Sequence, residues 1–273
     1  MIKLVATDID GTLLRTDGTI SERTRKAIDA AAEAGLLIAF VTGRPPRWLD
    51  PLVEMTGHQG VAVGANGAVL YDLATEQLLA VHTISSELMR DVANDLRVAF
   101  PPVRFAVEGA QSFAAEEGYT HDWAINPLLD RRGNPVPPPR IGPLAEITAR
   151  PGVKLLAKDR TADPDVFLAA ATSIVGGRAS LTHSSSFGLV EVAAAGVTKA
   201  TGLADLADRH GIAPHEVAAI GDMPNDLPML QWAGRAYAVG NAHPSVRDVA
   251  DEVTFSNDDD AVARLIESVL ADR

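Results

Sequence analysis

The segment that most constrains the fold of this chain is an apolar run near its N-terminus that ends in two aspartates and a glycine. Residues 3–7 read Lys-Leu-Val-Ala-Thr, and Asp8, Ile9, Asp10 and Gly11 follow. A short apolar run of this kind is typical of a buried strand in a parallel sheet. In open α/β sheets, ligands bind beyond the carboxyl ends of the strands, which is where the two aspartates stand.

The spacing of the two aspartates indicates a cation site. Asp8 and Asp10 are two residues apart, so in a regular strand both side chains would leave the same face. Two carboxylates about 4 Å apart repel each other by roughly 4 kcal/mol at an effective dielectric near 20. A hard divalent ion such as Mg2+ would relieve that repulsion. The alternative is a pair of solvated aspartates in a turn, and residues further along the chain decide against it.

A helix and a second apolar strand come next. Apolar residues recur at helical spacing from Ala27 to Leu36, with Ser21 as a suitable N-cap, and residues 37–41 are predicted to form the second strand. A strand, a helix and a strand within about forty residues form a βαβ unit with parallel neighbouring strands. Thr42, directly after the second strand, should therefore lie near Asp8.

The composition favours one soluble core with an inserted module. The chain has 273 residues, 47% of them hydrophobic, which is long for one compact domain and short for two. A net charge of −12 argues against nucleic acid or an anionic membrane surface as the main partner. There is no cysteine, no apolar run approaching the roughly 20 residues of a membrane span, and no signal-like N-terminus. We expect a cytoplasmic protein.

The middle of the chain has a different character from its flanks. Strands are predicted at 103–107, 112–115, 153–157 and 179–183, helices at 85–100 and 163–174, and a proline-rich loop at 126–152. The expected domains are a core formed by 1–82 and 188–273 and an α+β module at 83–187, with hinges at 82–83 and 184–186. A strand at 189–192 would lead back into the core.

The inserted segment is nearly neutral, unlike its flanks. Residues 83–185 carry 11 Lys and Arg against 12 Asp and Glu, so most of the negative charge belongs to the rest of the chain. Basic side chains in the insertion could meet an anionic ligand, although each is more simply explained as a surface residue: Arg131, Arg132, Arg140, Arg150 and Arg160.

Further polar residues follow later strands or open a helix. Lys199 opens a helix, and Asp222, Asn225 and Asp226 follow another apolar strand. Carboxylate oxygens suit a hard cation, whereas the Thr42 hydroxyl, the Lys199 ammonium and the Asn225 amide can donate to an anion. A cation site and an anion site in one pocket fit a metal-bound phosphate.

These motifs together resemble the haloacid dehalogenase-like (HAD) superfamily, and more narrowly its Cof-type branch of phosphatases. The matching segments are Asp-Ile-Asp-Gly-Thr-Leu-Leu at 8–14, Val-Thr-Gly-Arg at 41–44, Asn-Gly-Ala at 66–68, Gly-Val-Thr-Lys at 196–199 and Gly-Asp-Met-Pro-Asn-Asp at 221–226. Met223 and Pro224 depart from the usual pattern. The resemblance implies an α/β fold, with a Rossmann-like three-layer core around a parallel sheet and a large inserted α+β cap of type 2.

The resemblance also implies a role for each motif residue. Asp8 would be the nucleophile that forms an aspartyl-phosphate, and Asp10 the general acid and base. Mg2+ would be bound by Asp8, Asp222 and the Asp10 carbonyl. The phosphoryl oxygens would be held by four further residues: Thr42, Gly43, Lys199 and Asn225. Asp226 would orient Lys199 or a metal-bound water.

The sequence therefore predicts a Mg2+-dependent phosphatase acting on a small phosphomonoester, such as a sugar phosphate. Two alternatives remain open. A phosphomutase would return the phosphoryl group from the aspartate to a sugar, and a non-catalytic protein would only bind a phosphorylated ligand. The sequence does not indicate the oligomeric state.

Overall fold

The computed structural model describes residues 1–119, 138–185 and 187–273. In chain order, its strands are β1 (Leu4–Thr7), β2 (Leu37–Val41), β3 (Val61–Gly64), β4 (Val69–Asp72), β5 (Gln77–Val81), β6 (Arg104–Glu108), β7 (Phe113–Ala115), β8 (Arg140–Ile141), β9 (Lys154–Lys158), β10 (Ala179–Thr182), β11 (Leu189–Ala194), β12 (Val217–Gly221), β13 (Arg235–Ala238) and β14 (Glu252–Val253). The α-helices are α1 (Glu22–Glu33), α2 (Asp50–Thr56), α3 (Ser86–Ala99), α4 (Leu144–Ile147), α5 (Pro164–Val175), α6 (Lys199–Arg209), α7 (Leu227–Trp232), α8 (Pro244–Val249) and α9 (Ala261–Ala271).

The first sheet has the strand order β14-β13-β12-β1-β2-β3-β4-β5. The strands from β14 to β3 are parallel, and the antiparallel hairpin β3-β4 adds β5 at the edge. In the register of the central strands, Thr7 at the end of β1 lies beside Phe40 of β2 and Ile220 of β12. Because these strands are parallel, their carboxyl ends meet at one edge of the sheet, and the loops that follow them lie together.

Local sequence explains the first βαβ unit. The Ser21 hydroxyl accepts a hydrogen bond from the Thr24 N–H at 3.0 Å and caps α1, as predicted. Ala27, Ile28 and Ala31 bury one face of this helix. Gly35 follows with φ +67°, a left-handed conformation that glycine adopts without a steric penalty, and the chain turns into β2.

The second sheet has the order β10-β11-β9-β6-β7-β8 and is antiparallel except for the β7-β8 pair. The helices α3 and α5 pack against each other, and α5 contacts β10 and β11. Each sheet has its own hydrophobic cluster, with Phe40 in the first and Phe105 and Phe167 in the second. We call the second sheet with α3 and α5 the cap. The predicted fold class, an α/β core with a parallel sheet and an inserted α+β cap, is confirmed.

Two predictions about elements were wrong. The strand predicted to lead back into the core at 189–192 is β11, and it pairs with β9 and β10 inside the cap. Its apolar pattern indicated a buried strand, but no local pattern shows which sheet a strand joins. We therefore propose that the insertion begins near residue 83, as predicted, and ends after residue 194. The predicted loop at 126–152 contains β8 and α4 in its described part.

Some predictions lie outside the described residues: Arg131, Arg132, the hinge residue Ser186 and the first part of the proline-rich loop. Among the residues that are described, no helix is both long enough and apolar enough to cross a membrane.

Candidate active site

The turn after β1 brings Asp8 and Thr12 up to the loop after β12. Gly11 has φ +80°, a conformation that favours glycine, and a Cβ on it would lie 2.4 Å from an oxygen of Asp222. Both the backbone conformation and the close contact therefore exclude a side chain at this position. The Thr12 hydroxyl donates to Asp222 Oδ1 at 2.9 Å. The aspartate-rich turn and the loop after β12 are therefore in direct contact.

A close approach of α6 to the hairpin turn brings Lys199 into the same place. Gly67, in the turn Ala65–Gly67, has φ +96°, and a Cβ there would lie 1.9 Å from the Thr198 carbonyl oxygen. The first turn of α6 thus packs directly on backbone. Lys199 is fully buried and donates to Asp8 Oδ1 at 2.5 Å and to Asp226 Oδ1 at 2.6 Å.

Three buried carboxylates surround this lysine. Oxygens of Asp8, Asp222 and Asp226 lie within 4.8 Å of one another. Burial raises the pKa of Asp8 well above its usual value, and the other carboxylates add to the effect against the opposing influence of Lys199. Burial, with a contribution from Asp226, raises the pKa of Asp222 to about 7. Burial disfavours the Lys199 ammonium, but Asp226 and Asp8 outweigh burial and raise its pKa.

The donor set fits a hard divalent cation. Three carboxylates face one ammonium, so the cluster lacks positive charge. Burial, with a smaller contribution from the neighbouring carboxylates, raises the pKa values of Asp8 and Asp222. Oxygen ligands are those that Mg2+ prefers. Asp226 is engaged elsewhere, because its Oδ2 accepts the backbone N–H groups of Asp222 and Met223 at 2.9 and 3.0 Å. Asp8 and Asp222 are therefore better placed than Asp226 to hold the ion.

The side chain of Asp10 does not join this cluster. The strand ends at Thr7, and both Asp10 oxygens accept from Arg44, at 2.8 and 2.5 Å. The expectation that the Asp8 and Asp10 carboxylates share one strand face was wrong, because Asp10 belongs to a turn and not to a strand. Arg44 is 94% buried and holds the Asp10 carboxylate at the edge of the cleft.

Thr42, Gly43 and Asn225 lie around the same strand ends. Thr42 is buried, and its hydroxyl oxygen accepts from the Arg44 N–H at 3.0 Å. Gly43 and Asn225 line the cleft beside Asp8. The Asn225 amide donates to Asn66 Oδ1 at 3.0 Å, and Asn66 has the left-handed φ of +57° in the hairpin turn.

The cap supplies the opposite wall of the cleft through two ion pairs, each with a buried glutamate. Lys154 of β9 donates to Glu191 of β11 at 2.5 Å and to the Gly43 carbonyl at 2.8 Å, which joins cap and core. Arg47, in the core turn Pro46–Trp48, donates to Glu108 of β6. Burial raises the pKa of Glu108 despite Arg47. At Glu191, burial is outweighed by Lys154 together with the Ser184 hydroxyl and Lys199, and the pKa is lowered.

Aromatic and aliphatic side chains complete the cleft. The Arg47 guanidinium lies over the rings of Trp48 and Phe113, at 5.2 and 5.8 Å. The residues that line the cleft are Asp8, Asp10, Gly43, Arg44, Pro45, Trp48, Glu108, Phe113, Tyr119, Lys154, Leu156, Ser184, Leu189, Glu191, Met223 and Asn225. None of Arg140, Arg150 and Arg160 is in this set. Among the described residues, the basic side chain that the cap contributes to this lining is that of Lys154.

The structure thus brings the predicted residues to one edge of the parallel sheet, with the side chain of Asp10 bound to Arg44. Sequence reasoning assigned no role to Thr12, Arg44 or Asn66, although all three belong to motifs that it singled out. It missed Lys154, Arg47 and Glu108 entirely, because they belong to no motif and meet only through the packing of cap on core. Glu191, on the strand predicted at 189–192, accepts a hydrogen bond from the Ser184 hydroxyl.

Comparisons with known proteins agree with this geometry. A family model described as haloacid dehalogenase-like hydrolase matches residues 5–266. Among curated proteins, the 5-amino-6-(5-phospho-D-ribitylamino)uracil phosphatase YcsE of Bacillus subtilis (strain 168) is 30% identical over 269 residues, covering 97% of this chain and 94% of YcsE. YitU of the same strain, also a 5-amino-6-(5-phospho-D-ribitylamino)uracil phosphatase, is 27% identical over 266 residues, covering 96% of each chain.

A solved structure shows the same fold. The structure of SMU.1108c from Streptococcus mutans UA159 superposes with a TM-score of 0.83 at 23% identity, covering 99% of this chain and 100% of that one. The family match spans both sheets, and the architecture of core and inserted cap is shared. The chain is therefore an enzyme of the haloacid dehalogenase-like hydrolase family, in its Cof-type phosphatase branch.

Proposed function

We propose that this enzyme is a Mg2+-dependent phosphatase that hydrolyses a small phosphomonoester, with Asp8 as the nucleophile. The observation that carries the proposal is the position of Asp8: it lines the cleft, is 95% buried, and lies beside Lys199 and two further carboxylates. A carboxylate that attacks a phosphate ester must approach an anion. Mg2+ bound by Asp8, Asp222 and the Asp10 carbonyl would neutralise the charge that opposes that approach.

The surrounding residues have separate parts in this proposal. Asp8 attacks phosphorus in line, and an aspartyl-phosphate forms as the ester oxygen leaves. Asp10, oriented by Arg44, protonates the leaving oxygen and then takes a proton from the water that hydrolyses the aspartyl-phosphate. Thr42, the Gly43 N–H, Lys199 and Asn225 hold the phosphoryl oxygens as their charge redistributes. Asp226 keeps Lys199 and the loop after β12 in place.

The test is phosphate release from p-nitrophenyl phosphate by purified protein, with Mg2+ and with EDTA. We expect turnover with Mg2+, loss of at least about 100-fold with EDTA, and recovery when Mg2+ is added in excess. Equal turnover in the two samples would contradict the metal assignment. No turnover in either would contradict the phosphatase itself. In a parallel assay with a sugar phosphate in place of p-nitrophenyl phosphate, an isomerised sugar phosphate formed without free phosphate would identify a phosphomutase.

The substrate proposal rests on the walls of the cleft. Rings of Trp48, Phe113 and Tyr119 line it together with the buried Glu108 carboxylate, which can accept hydrogen bonds. A flat ring carrying N–H or O–H groups would suit this surface. The relatives YcsE and YitU act on 5-amino-6-(5-phospho-D-ribitylamino)uracil, which joins such a ring to a phosphorylated sugar alcohol. We propose the same compound, or one of its chemical class, as the substrate.

A panel of phosphorylated metabolites tests this choice. The comparison is kcat/KM for 5-amino-6-(5-phospho-D-ribitylamino)uracil against ribitol 5-phosphate, which has the same phosphorylated chain without the ring. We expect the ring to raise kcat/KM by about 100-fold or more, because remote binding energy can be used in the transition state. Equal values for the two compounds would contradict recognition of the ring and leave a phosphatase for simple sugar phosphates.

A further inference from the structure

A chain of buried side-chain hydrogen bonds runs from the cap to Asn225. Glu191 Oε2 accepts from Asn66 Nδ2 at 3.0 Å, and Asn66 Oδ1 accepts from Asn225 Nδ2 at 3.0 Å. Glu191, Asn66 and Asn225 are each at least 94% buried. The chain starts on β11 in the cap, passes through the hairpin turn of the core, and ends in the turn Pro224–Asp226 at the carboxyl end of β12.

The donor and acceptor roles in this chain are set at its cap end. An ionised carboxylate can only accept hydrogen bonds, whereas an asparagine amide can face either way. Glu191 is held ionised, because burial, which would raise its pKa, is outweighed by Lys154 together with the Ser184 hydroxyl and Lys199. Asn66 must therefore turn its N–H2 group to Glu191 and its oxygen to Asn225. Asn225 must in turn point its N–H2 group at Asn66.

Two groups of the Asn225 amide are not used in this chain of hydrogen bonds. One N–H of its amide remains for a phosphoryl oxygen, and its Oδ1 has no hydrogen-bond partner among the described residues. If the Asn225 amide were reversed, its oxygen would face Asn66 Oδ1, and two acceptors would meet in a buried place. The orientation of Asn225 thus depends on Asn66, and that of Asn66 on Glu191.

Close packing restricts Asn66, the middle residue of this chain of hydrogen bonds. A Cβ on Gly43 would lie only 3.1 Å from Asn66 Oδ1, so the Asn66 amide lies close against the loop after β2. Lys154, which pairs with Glu191, also donates to the Gly43 carbonyl at 2.8 Å. The Lys154–Glu191 pair therefore bonds directly to the loop after β2 and reaches Asn225 through Asn66.

We propose that Glu191 is a positioning residue for phosphoryl transfer, which acts through Asn66 to fix the orientation of the Asn225 amide. This inference rests on the proposed phosphatase function. Because Glu191 lies on a cap strand, the phosphate site is complete only when that strand packs against the core. The cap must therefore pack against the core before Asp8 can attack, and the reaction occurs only in the closed enzyme.

The test exchanges carboxylate and amide groups at positions 66 and 191. Asn66→Asp replaces the link by a carboxylate, which cannot donate to Glu191 and is repelled by it, so the side chain at position 66 moves away from its place as the acceptor for Asn225. We expect kcat for p-nitrophenyl phosphate to fall by about 10- to 100-fold, because a misoriented group is lost from the transition state. Adding Glu191→Gln to this variant supplies an N–H for the new carboxylate at position 66, which can again accept from Asn225. We expect the double variant to recover kcat to within about fivefold of wild type.

Two variants serve as controls. Asn94→Asp and Glu87→Gln make the same two exchanges at exposed positions of the cap helix α3, and each should keep kcat within about threefold of wild type. The melting temperature of each variant is measured in parallel, since a purely structural role would lower stability without the rescue of kcat.

Clear outcomes overturn the inference. It is wrong if folded Asn66→Asp keeps kcat within threefold of wild type, or if the double variant is no faster than Asn66→Asp. If Asn66→Asp does not fold, the pair Glu191→Ala and Asn66→Ala replaces it, and multiplicative losses in their double variant would show that Glu191 does not act through Asn66. Absence of Mg2+-dependent turnover in the wild type would instead contradict the proposed function.

Discussion

The two walls of the cleft satisfy their charges in different ways. On the core side, Asp8, Asp222 and Asp226 share one ammonium, that of Lys199. On the cap side, each buried acid has a basic partner of its own: Glu191 is paired with Lys154, and Glu108 with Arg47. The core wall is therefore short of positive charge, whereas the cap wall is balanced.

This difference indicates a division of labour. A group of buried carboxylates that lacks cations is costly for the folded protein and suits a site that gains a metal ion and a phosphate. Balanced ion pairs need no ligand, and they fix the geometry of the cap against the core. We expect substitutions in the core wall to affect the chemical step, and substitutions in the cap wall to affect selection and alignment.

The largest effect is expected at Asp8. Asp8→Asn removes the proposed nucleophile and should lower kcat for any phosphomonoester by at least about 1,000-fold, while the fold remains intact. Steady-state phosphate release and circular dichroism measure the two parts of this prediction. Asp205→Asn, on the exposed face of α6, is the matched control and should keep wild-type kcat. An Asp8→Asn enzyme with a tenth of wild-type turnover would show that the nucleophile is elsewhere.

Removal of Lys199 tests whether the core wall is short of positive charge. Lys199→Met leaves three buried carboxylates without their ammonium, so kcat should fall by about 100-fold as phosphate loses a donor. The melting temperature of the metal-free variant should also fall, and Mg2+ should restore more of it than in the wild type. Enzyme assays and thermal melts with and without Mg2+ test this. A variant whose stability does not respond to Mg2+ would show that the core wall does not need a cation.

The sequence predicted the core wall far better than the cap wall. Asp8, Lys199 and Asp222 each stand at a strand end or helix start, and the rule that parallel strands share one carboxyl edge brings such residues together. The contact of Asp10 with Arg44 was not predictable, because it depends on the turn after β1. Glu108 and Lys154 lie within cap strands like any other residue. Their partners come from another part of the chain, and only tertiary packing reveals them.

A substitution in the cap wall should change selection more than chemistry. Glu108→Gln removes the charge that faces Arg47 and the strongest acceptor near the aromatic rings. We expect kcat/KM for the preferred metabolite to fall by about tenfold, while kcat/KM for p-nitrophenyl phosphate changes by less than threefold. Competition assays with both substrates measure the ratio. Glu146→Gln, on the exposed α4 of the insertion, is the control. Equal losses of kcat/KM for both substrates would contradict the division of labour between the two walls.

The smallest effect expected is the pH dependence of stabilisation by Mg2+. Burial raises the folded-state pKa of Asp222 to about 7, well above the usual value of 3.8. Between about pH 4 and pH 7, the metal-free folded protein therefore keeps a proton that the unfolded chain releases, and stability falls as the pH rises through this window. Mg2+ needs the ionised carboxylate, so it competes with that proton and binds more tightly at pH 8 than at pH 5.

Saturating Mg2+ should accordingly raise the melting temperature more at pH 8 than at pH 5, by a margin of about 3 °C or more. Thermal melts at the two pH values, with Mg2+ and with EDTA, provide the measurement. Asp222→Asn is the matched variant: it cannot ionise, so the margin should shrink and the metal-free protein should lose less stability as the pH rises. We expect the acids of the cap wall to contribute nothing to this difference between pH 8 and pH 5, because they already have basic partners. An equal Mg2+ effect at both pH values would mean that the carboxylates of the core wall are ionised without the metal, and the contrast between the two walls would then be one of geometry and not of charge.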